Sequence, residues 1–455
     1  MPKDTIIYIP IEAPKRELTS KTMLATRLAK AGYTTILFEH SFFDRHKWKM
    51  PGLYLGKNFF RYEKSKTNKS HYNEMKKSKI DIWYLDEEAG IFPGKDPKSW
   101  KIFLDERIDI NNLSSKDKIL VWGRWQKEHW IEKTNKHEEK NIIITGTPHY
   151  DMLQTKYHKY FREFDLNTTG NLENYILINT RFSLVNSHPR LGRKAVEKFY
   201  LDAEESFKKF NKEKFSSLIF KEETFLIKNF IELAKYLSEN FTDKNIVLRA
   251  HPDEGSERYK NELSAHKNIK VISEGGIDSW IRLSDCVIHN GCSTAIQADF
   301  AKKKVISYLP SDGGLNFYVT TPGLPNMIGF LAKTNEDVKE AIKNPVYKQS
   351  KQKWESTFSE ENTIEKIASM VEEFYPEDKT SSMNIFKNLK IKYFMVNIKE
   401  FLKDILRPIF KKPKVIFPYE EFYNIMKISS TTSNIYDTKI SVNKLARGAI
   451  VISPK

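Results

Sequence analysis

Short apolar runs recur along the chain, each closed by polar residues and spaced from the next by a stretch of helical periodicity. Ile6–Ile11 reads IIYIPI, and polar Glu12, Arg16 and Glu17 follow it. An amphipathic segment near Ser20–Ala31 then ends at Gly32, and a second run stands at Thr34–Phe38. Further runs stand at Ile80–Leu85, Ile119–Trp122, Ile142–Ile144 and Tyr175–Ile178. Runs this short and this rich in β-branched residues suit buried strands. Strand, loop, helix and strand in repetition predict an α/β chain with parallel, doubly wound sheets. Ligands of such sheets bind beyond the carboxyl ends of the strands.

The densest stretch of this kind is Val247–Leu309. Ile246–Leu248 predicts a strand, and Arg249, His251, Asp253 and Glu254 follow where it would end. Asp285–His289 is a second apolar run closed by His289 and Asn290. Gly291, Ser293 and Thr294 then open a helix expected over Thr294–Lys302, and Lys304–Tyr308 is a third strand. The two polar clusters lie about 40 residues apart, as one strand–helix crossover pair would space them. A Gly-Cys-Ser-Thr turn at a helix start offers backbone N–H groups, hydroxyls and the positive helix end to a phosphate. Arg249 and His251 would add charge or hydrogen bonds to the same anion. The plainer alternative is that Ser293 and Thr294 only cap their helix.

Other strand ends carry candidates as well. Glu12 and Arg16 follow the first strand, and Asn179 and Thr180 follow Tyr175–Ile178, where they would meet substrate. For Glu12 and Arg16 the alternative is a solvated salt-bridge loop. Asp86, Glu87 and Glu88 follow the IDIWYL run. Three adjacent carboxylates repel one another, and partial burial would raise at least one pKa, which suits a general acid or base. A solvated acidic turn is the alternative. The glycine pattern of a dinucleotide fingerprint is missing from the first loop, which argues against NAD. No Asp-x-Asp pair stands at a strand end, and no metal is expected.

Length, charge and cysteines narrow the picture. At 455 residues the chain has room for two domains and an appendage. The boundaries expected are 1–165 for an N-terminal Rossmann-like domain, 166–350 for a C-terminal one, 351–376 for a returning helix and 377–455 for a basic extension. A helix is expected over Glu222–Asn240 inside the second domain. The net charge of +16 calls for an anionic partner, but the lysines are spread along the whole chain and no nucleic-acid module is recognisable. Two cysteines, Cys286 and Cys292, make no disulfide framework and fit a cytoplasmic protein. Phe386–Lys414 alternates apolar and basic residues. It suits a helix lying on an anionic membrane surface, which would place the protein peripherally on the inner face of the cytoplasmic membrane, or equally a helix docked on the core.

Nine motifs in order resemble the bacterial surface carbohydrate biosynthesis protein family. They are Ile9–Leu18, Pro51–Lys57, Tyr84–Gly90, Val121–Gln126, Thr145–Leu153, Ile176–Asn186, Leu248–Glu254, His289–Ala298 and Val305–Pro310. The resemblance implies a GT-B-like fold, two Rossmann-like domains facing a cleft, and a glycosyltransferase, which the missing Asp-x-Asp pair makes metal-independent. A looser similarity joins Glu87-Glu88-Ala89-Gly90, His251-Pro252 and Ser293-Thr294 to bacterial sialyl- and Kdo-transferases. It implies a CMP-activated acidic sugar as donor and a surface glycan or lipid-linked glycan as acceptor, with no separate cofactor. Catalysis would fall to Glu87, Glu88 or Asp86. The nucleotide would be held by Arg249, His251, Glu254, His289, Asn290, Gly291, Ser293 and Thr294. Two alternatives stay open: a UDP-sugar transferase or 2-epimerase on the same scaffold, and a non-catalytic membrane-associated scaffold of polysaccharide assembly.

Overall fold

The structure is a computed structural model that describes residues 5–39, 50–57, 66–85, 92, 97–105, 113–134, 136–189, 192–202, 208, 214–273, 275–311, 321–346, 362–376, 418–432, 440–446 and 448–454. Two compact units divide the chain. One holds the described residues of 5–85, 113–152 and 362–454, and the other those of 92–105 and 153–346.

In chain order, the first unit contributes β1 (Ile6–Ile11), β2 (Thr34–Glu39), β3 (Gly52–Gly56), β4 (Ile80–Leu85), β5 (Lys118–Val121) and β6 (Ile142–Ile144). The second contributes β7 (Tyr175–Asn179), β8 (Ile246–Arg249), β9 (Ile269–Ile272), β10 (Ser284–His289), β11 (Lys304–Tyr308) and β12 (Phe330–Ala332). The chain then returns to the first unit with β13 (Ile440–Ala446) and β14 (Ala449–Pro454).

The first sheet runs β13-β14-β2-β1-β3-β4-β5-β6. Its strands β1 to β6 are parallel, and β14 joins β2 antiparallel. Every residue of β1 is buried, as a central parallel strand covered on both faces requires. Close strand approach explains Gly52, where a Cβ would stand 2.0 Å from the Ile6 carbonyl oxygen. The first helix spans Pro14–Lys30, beginning earlier than the apolar period predicts, because Pro14 fits a first helical turn that needs no N–H donor. Arg16 and Glu17 therefore sit on that first turn rather than in a loop.

The part of the expected C-terminal extension that is described belongs to this core. The Tyr419–Thr432 helix buries Phe422 and Ile425, and the Thr26 hydroxyl meets the Met426 sulfur at 3.2 Å. The apolar Ala449–Ile452 run fills the place beside β2. The Thr363–Phe374 helix also packs here: Arg27 pairs with Glu365 and Glu372, and the Tyr375 hydroxyl donates to Asp81 at 2.7 Å. Phe386–Lys414 lies outside the described residues. Among the described residues no helix is long and apolar enough to cross a membrane.

The second sheet is parallel, in the order β12-β11-β10-β7-β8-β9. One face packs on a core of Ile176, Ile178, Leu248, Ile288 and Ile306 with Leu226, Phe230 and Leu237 of the Phe215–Asn240 helix. That helix starts at Phe215, before the expected Glu222, because Phe215 and Ile219 bury against Leu184 and Val196. The Thr155–Thr169 helix belongs to this unit, so the boundary expected at 165 falls near 152. Its anchor is a buried ion pair, Asp165 to Arg282, with both oxygens accepting at 2.7 Å.

Candidate functional site

The carboxyl end of the second sheet carries an unusual row. Residues alternate between the faces of a strand. Ile178, Leu248, Ile288 and Ile306 enter the core on one face. The following residues, Asn179, Arg249, His289 and Ser307, share the other face on adjacent strands. Asn179 pairs in register with Arg249, and His289 with Ser307. The Ile288–Ile178 pair sets His289 beside Asn179. The last row on this face is thus polar on four neighbouring strands, and all four side chains are buried.

Three of the four hold polar atoms with no hydrogen-bond partner among the described residues: Asn179 Nδ2 and Oδ1, Arg249 Nε and His289 Nε2. Nearby in sequence, Asn290 Oδ1 and Thr294 Oγ1 are in the same condition. Ser307 instead donates to Asn326 Oδ1 at 2.6 Å. Buried polar atoms are ordinarily satisfied, because desolvation without a bond costs about 1–3 kcal/mol each. A group of them at a ligand-binding sheet edge is a reason to look for a ligand.

Arg249 donates to the Gly275 carbonyl at 3.1 Å, and no carboxylate among the described residues lies in ion-pair range of it. Burial works against its charge, with Cys292 and Asp278 offsetting. A buried cation of this kind favours an anion. His251 is half-exposed, and its Nδ1 accepts the Asp253 N–H at 3.3 Å. Partial desolvation by the surrounding loops, with Arg249 and Arg181, holds its pKa below the ordinary range against the pull of Asp253.

Ser293 and Thr294 make no side-chain cap. Ser293 is the N-cap of the Thr294–Phe300 helix, yet it makes no side-chain cap bond, and Thr294 is buried. Gly291 adopts φ +108°, and a Cβ there would stand 2.4 Å from Thr321 Cγ2, so glycine is required.

Glu254 plays a different part from the nucleotide contact expected of it. It is fully buried and accepts from the Thr180 hydroxyl at 3.0 Å, the Phe182 N–H at 2.8 Å and the Tyr259 hydroxyl at 2.5 Å. It ties the loop after β7 to the loop after β8, and Thr180 is spent on it. Glu223 does the same from the Phe215–Asn240 helix, accepting from the Leu184 and Val185 N–H groups at 2.8 and 3.2 Å. Beside it, buried Glu222 accepts from the Thr321 hydroxyl.

Burial and the neighbouring Glu254 push the Glu223 carboxyl up to about 8, against the pull of Arg181 and the two N–H bonds. A carboxyl raised above its unfolded value favours the folded state most at low pH, and that advantage is lost as pH rises toward the folded pKa. Glu223→Gln is therefore expected to flatten the fall in melting temperature between pH 5 and 8, and to raise it by about 4 °C at pH 8. Calorimetric scans across that range check it.

In the first unit, Glu12 and Arg16 are engaged locally. Lys57 pairs with Glu12, and Arg16 donates to Glu17 at 3.0 Å. Lys21 reaches Glu17 at 2.7 Å and the Pro10 carbonyl at 2.6 Å. Burial would raise the Glu17 carboxyl, but Lys21, Arg16 and the Glu12 N–H hold it at about 2. Asp86, Glu87 and Glu88 lie outside the described residues. Among the described residues no group of three His, Cys, Asp or Glu side chains could hold a metal ion.

No family model matches the chain, and no curated protein matches it. Solved structures do. A UDP-N-acetylglucosamine 2-epimerase matches with TM-score 0.50 and 12% identity, over 84% of this chain and 99% of its own. The UDP-GlcNAc 2-epimerase of Methanocaldococcus jannaschii matches with TM-score 0.47 and 14% identity, over 81% and 99%. The wall teichoic acid polymerase TagF matches with TM-score 0.43 and 13% identity, over 82% and 89%. Of these three, the first supports an assignment of fold and nothing finer. The chain is an α/β protein of two Rossmann-like units, the GT-B class of fold. None of the three is a CMP-sugar transferase.

Proposed function

We propose that the chain is an enzyme of nucleotide-activated sugars, that its second unit seats the nucleotide phosphates, and that its substrate is a UDP-sugar which it epimerises at carbon 2. The observation that carries the nucleotide site is the buried polar row, Asn179, Arg249 and His289, whose donors and buried cation have no full set of partners among the described residues. One cation among neutral donors suits a phosphate whose charge is shared over several oxygens. Thr294, Ser293, Asn290 and His251 stand close by in sequence to complete the seat. Uridine and epimerisation are taken up as the reading to test because a UDP-N-acetylglucosamine 2-epimerase has this fold.

Carbon 2 is not acidic by itself, so epimerisation couples loss of its proton to departure of UDP from carbon 1. A proton returns to the other face as UDP re-adds, so one group must take the proton and another return it. Asp86, Glu87 and Glu88 are the carboxylates proposed for this. Glu87→Gln with Glu88→Gln is expected to lower turnover at least a hundredfold while UDP affinity stays within twofold, as a titration and a rate assay would read.

A second reading is favoured by His251-Pro252, Ser293-Thr294 and the acidic run together: a transferase moving a CMP-linked acidic sugar to a surface glycan. There the same seat would stabilise the leaving phosphate, and the carboxylate would deprotonate the acceptor hydroxyl. Incubation with UDP-GlcNAc in heavy water separates the readings. Epimerisation gives the manno product with deuterium at carbon 2. An unchanged substrate, with a larger thermal shift from CMP than from UDP, supports transfer.

A further inference from the structure

We propose that His289 is a fixed neutral donor, with Nδ1 committed to the Gly291 amide and the Nε2–H offered to a phosphoryl oxygen of the bound nucleotide. This rests on the nucleotide reading above and adds the role of one residue within it.

The tautomer follows from a single bond. The Gly291 N–H donates to His289 Nδ1 at 2.9 Å. A ring nitrogen that accepts carries no proton, so a neutral ring carries its proton on Nε2. A doubly protonated ring would set N–H against N–H. The glycine makes this arrangement persistent: φ of +108° turns its amide back onto the ring, and Thr321, Pro322 and Asn326 close over its Cα. No other residue type fits that turn without displacing Thr321.

The environment agrees. His289 is wholly buried, and burial lowers its pKa to about 3. It is therefore not a group that shuttles protons near neutrality. Its Nε2 has no partner among the described residues. In register it lies between Asn179 and Ser307, one strand beyond the pair formed by Asn179 and Arg249. A donor N–H in that row complements Arg249: the guanidinium meets the anion's charge, and the imidazole fixes one of its oxygens without adding a second buried cation.

The test uses the full chain with nitrogen-labelled histidine and UDP. Nitrogen NMR is expected to show one histidine at neutral pH with a bare Nδ1 and a protonated Nε2, and that Nε2 resonance is expected to move on adding UDP. Two variants place the functional atoms differently. Glutamine can set an amide N–H near the Nε2 position, whereas asparagine reaches only as far as Nδ1. His289→Gln should bind UDP within about threefold of the wild type, and His289→Asn about tenfold or more weakly. UDP that binds the wild type but leaves the Nε2 resonance unmoved overturns the inference alone. A protonated Nδ1 also overturns it. No binding of UDP, CMP or inorganic phosphate to the wild type overturns the nucleotide reading on which it stands.

Discussion

Arg282→Met is expected to destabilise the second unit by about 3–5 kcal/mol, a large share of what holds a domain together. Arg282 and Asp165 form a two-point ion pair with both side chains almost wholly buried. The Phe161 ring lies 4.5 Å from the guanidinium. Removing the arginine leaves a carboxylate buried without its cation. The loss bears on function because the pair fastens the Thr155–Thr169 helix to Ile277–Leu283, the helix that follows Gly275 and Gly276. Trp280 on that helix is held by its carbonyl, which accepts from Tyr175 at 2.6 Å. Replacing both partners by apolar residues of similar volume, Arg282→Met with Asp165→Leu, is expected to restore most of the stability. Hydrogen exchange of amides in 155–169 and 277–283 reads this in the full chain, where two units need not unfold together. A single variant as stable as the wild type would show that the pair contributes nothing.

Arg249→Met should do the opposite to stability and far more to binding. Arg249 makes one hydrogen bond, to the Gly275 carbonyl, and its charge is buried without a carboxylate partner among the described residues. Methionine keeps the apolar stem and removes an ill-solvated charge, so the melting temperature is expected to hold or rise. A charge-assisted bond to phosphate is worth about 1.5–3 kcal/mol, and UDP affinity is expected to fall roughly ten- to a hundredfold. The two arginines thus separate by context. Arg282 is matched within the unit and stabilises it. Arg249 is unmatched among the described residues and is kept at a cost that a ligand would offset.

The outline of this arrangement was legible in the amino-acid sequence because strand ends announce themselves. Arg249, His289 and Asn179 each close a β-branched run, and the alternation of Val305 and Ser307 in the third run could have added Ser307 to the row. Other residues gave no local signal. Glu222 and Glu223 read as the polar start of an amphipathic helix. Their burial depends on Thr321, Leu184 and Val185, which reach them only through the fold. Glu254 looked like a ligand contact because it shares a strand end with Arg249, but its neighbour in space is Tyr259 on the next helix. The Ala449–Ile452 run had no visible partner until it paired with β2, some 400 residues away.

The most direct test of the account is a crystal structure of the chain grown with UDP. The account predicts phosphate oxygens within hydrogen-bond distance of Arg249, Asn179 and the Nε2 of His289. Phosphates seated elsewhere, with those three side chains untouched, would contradict it.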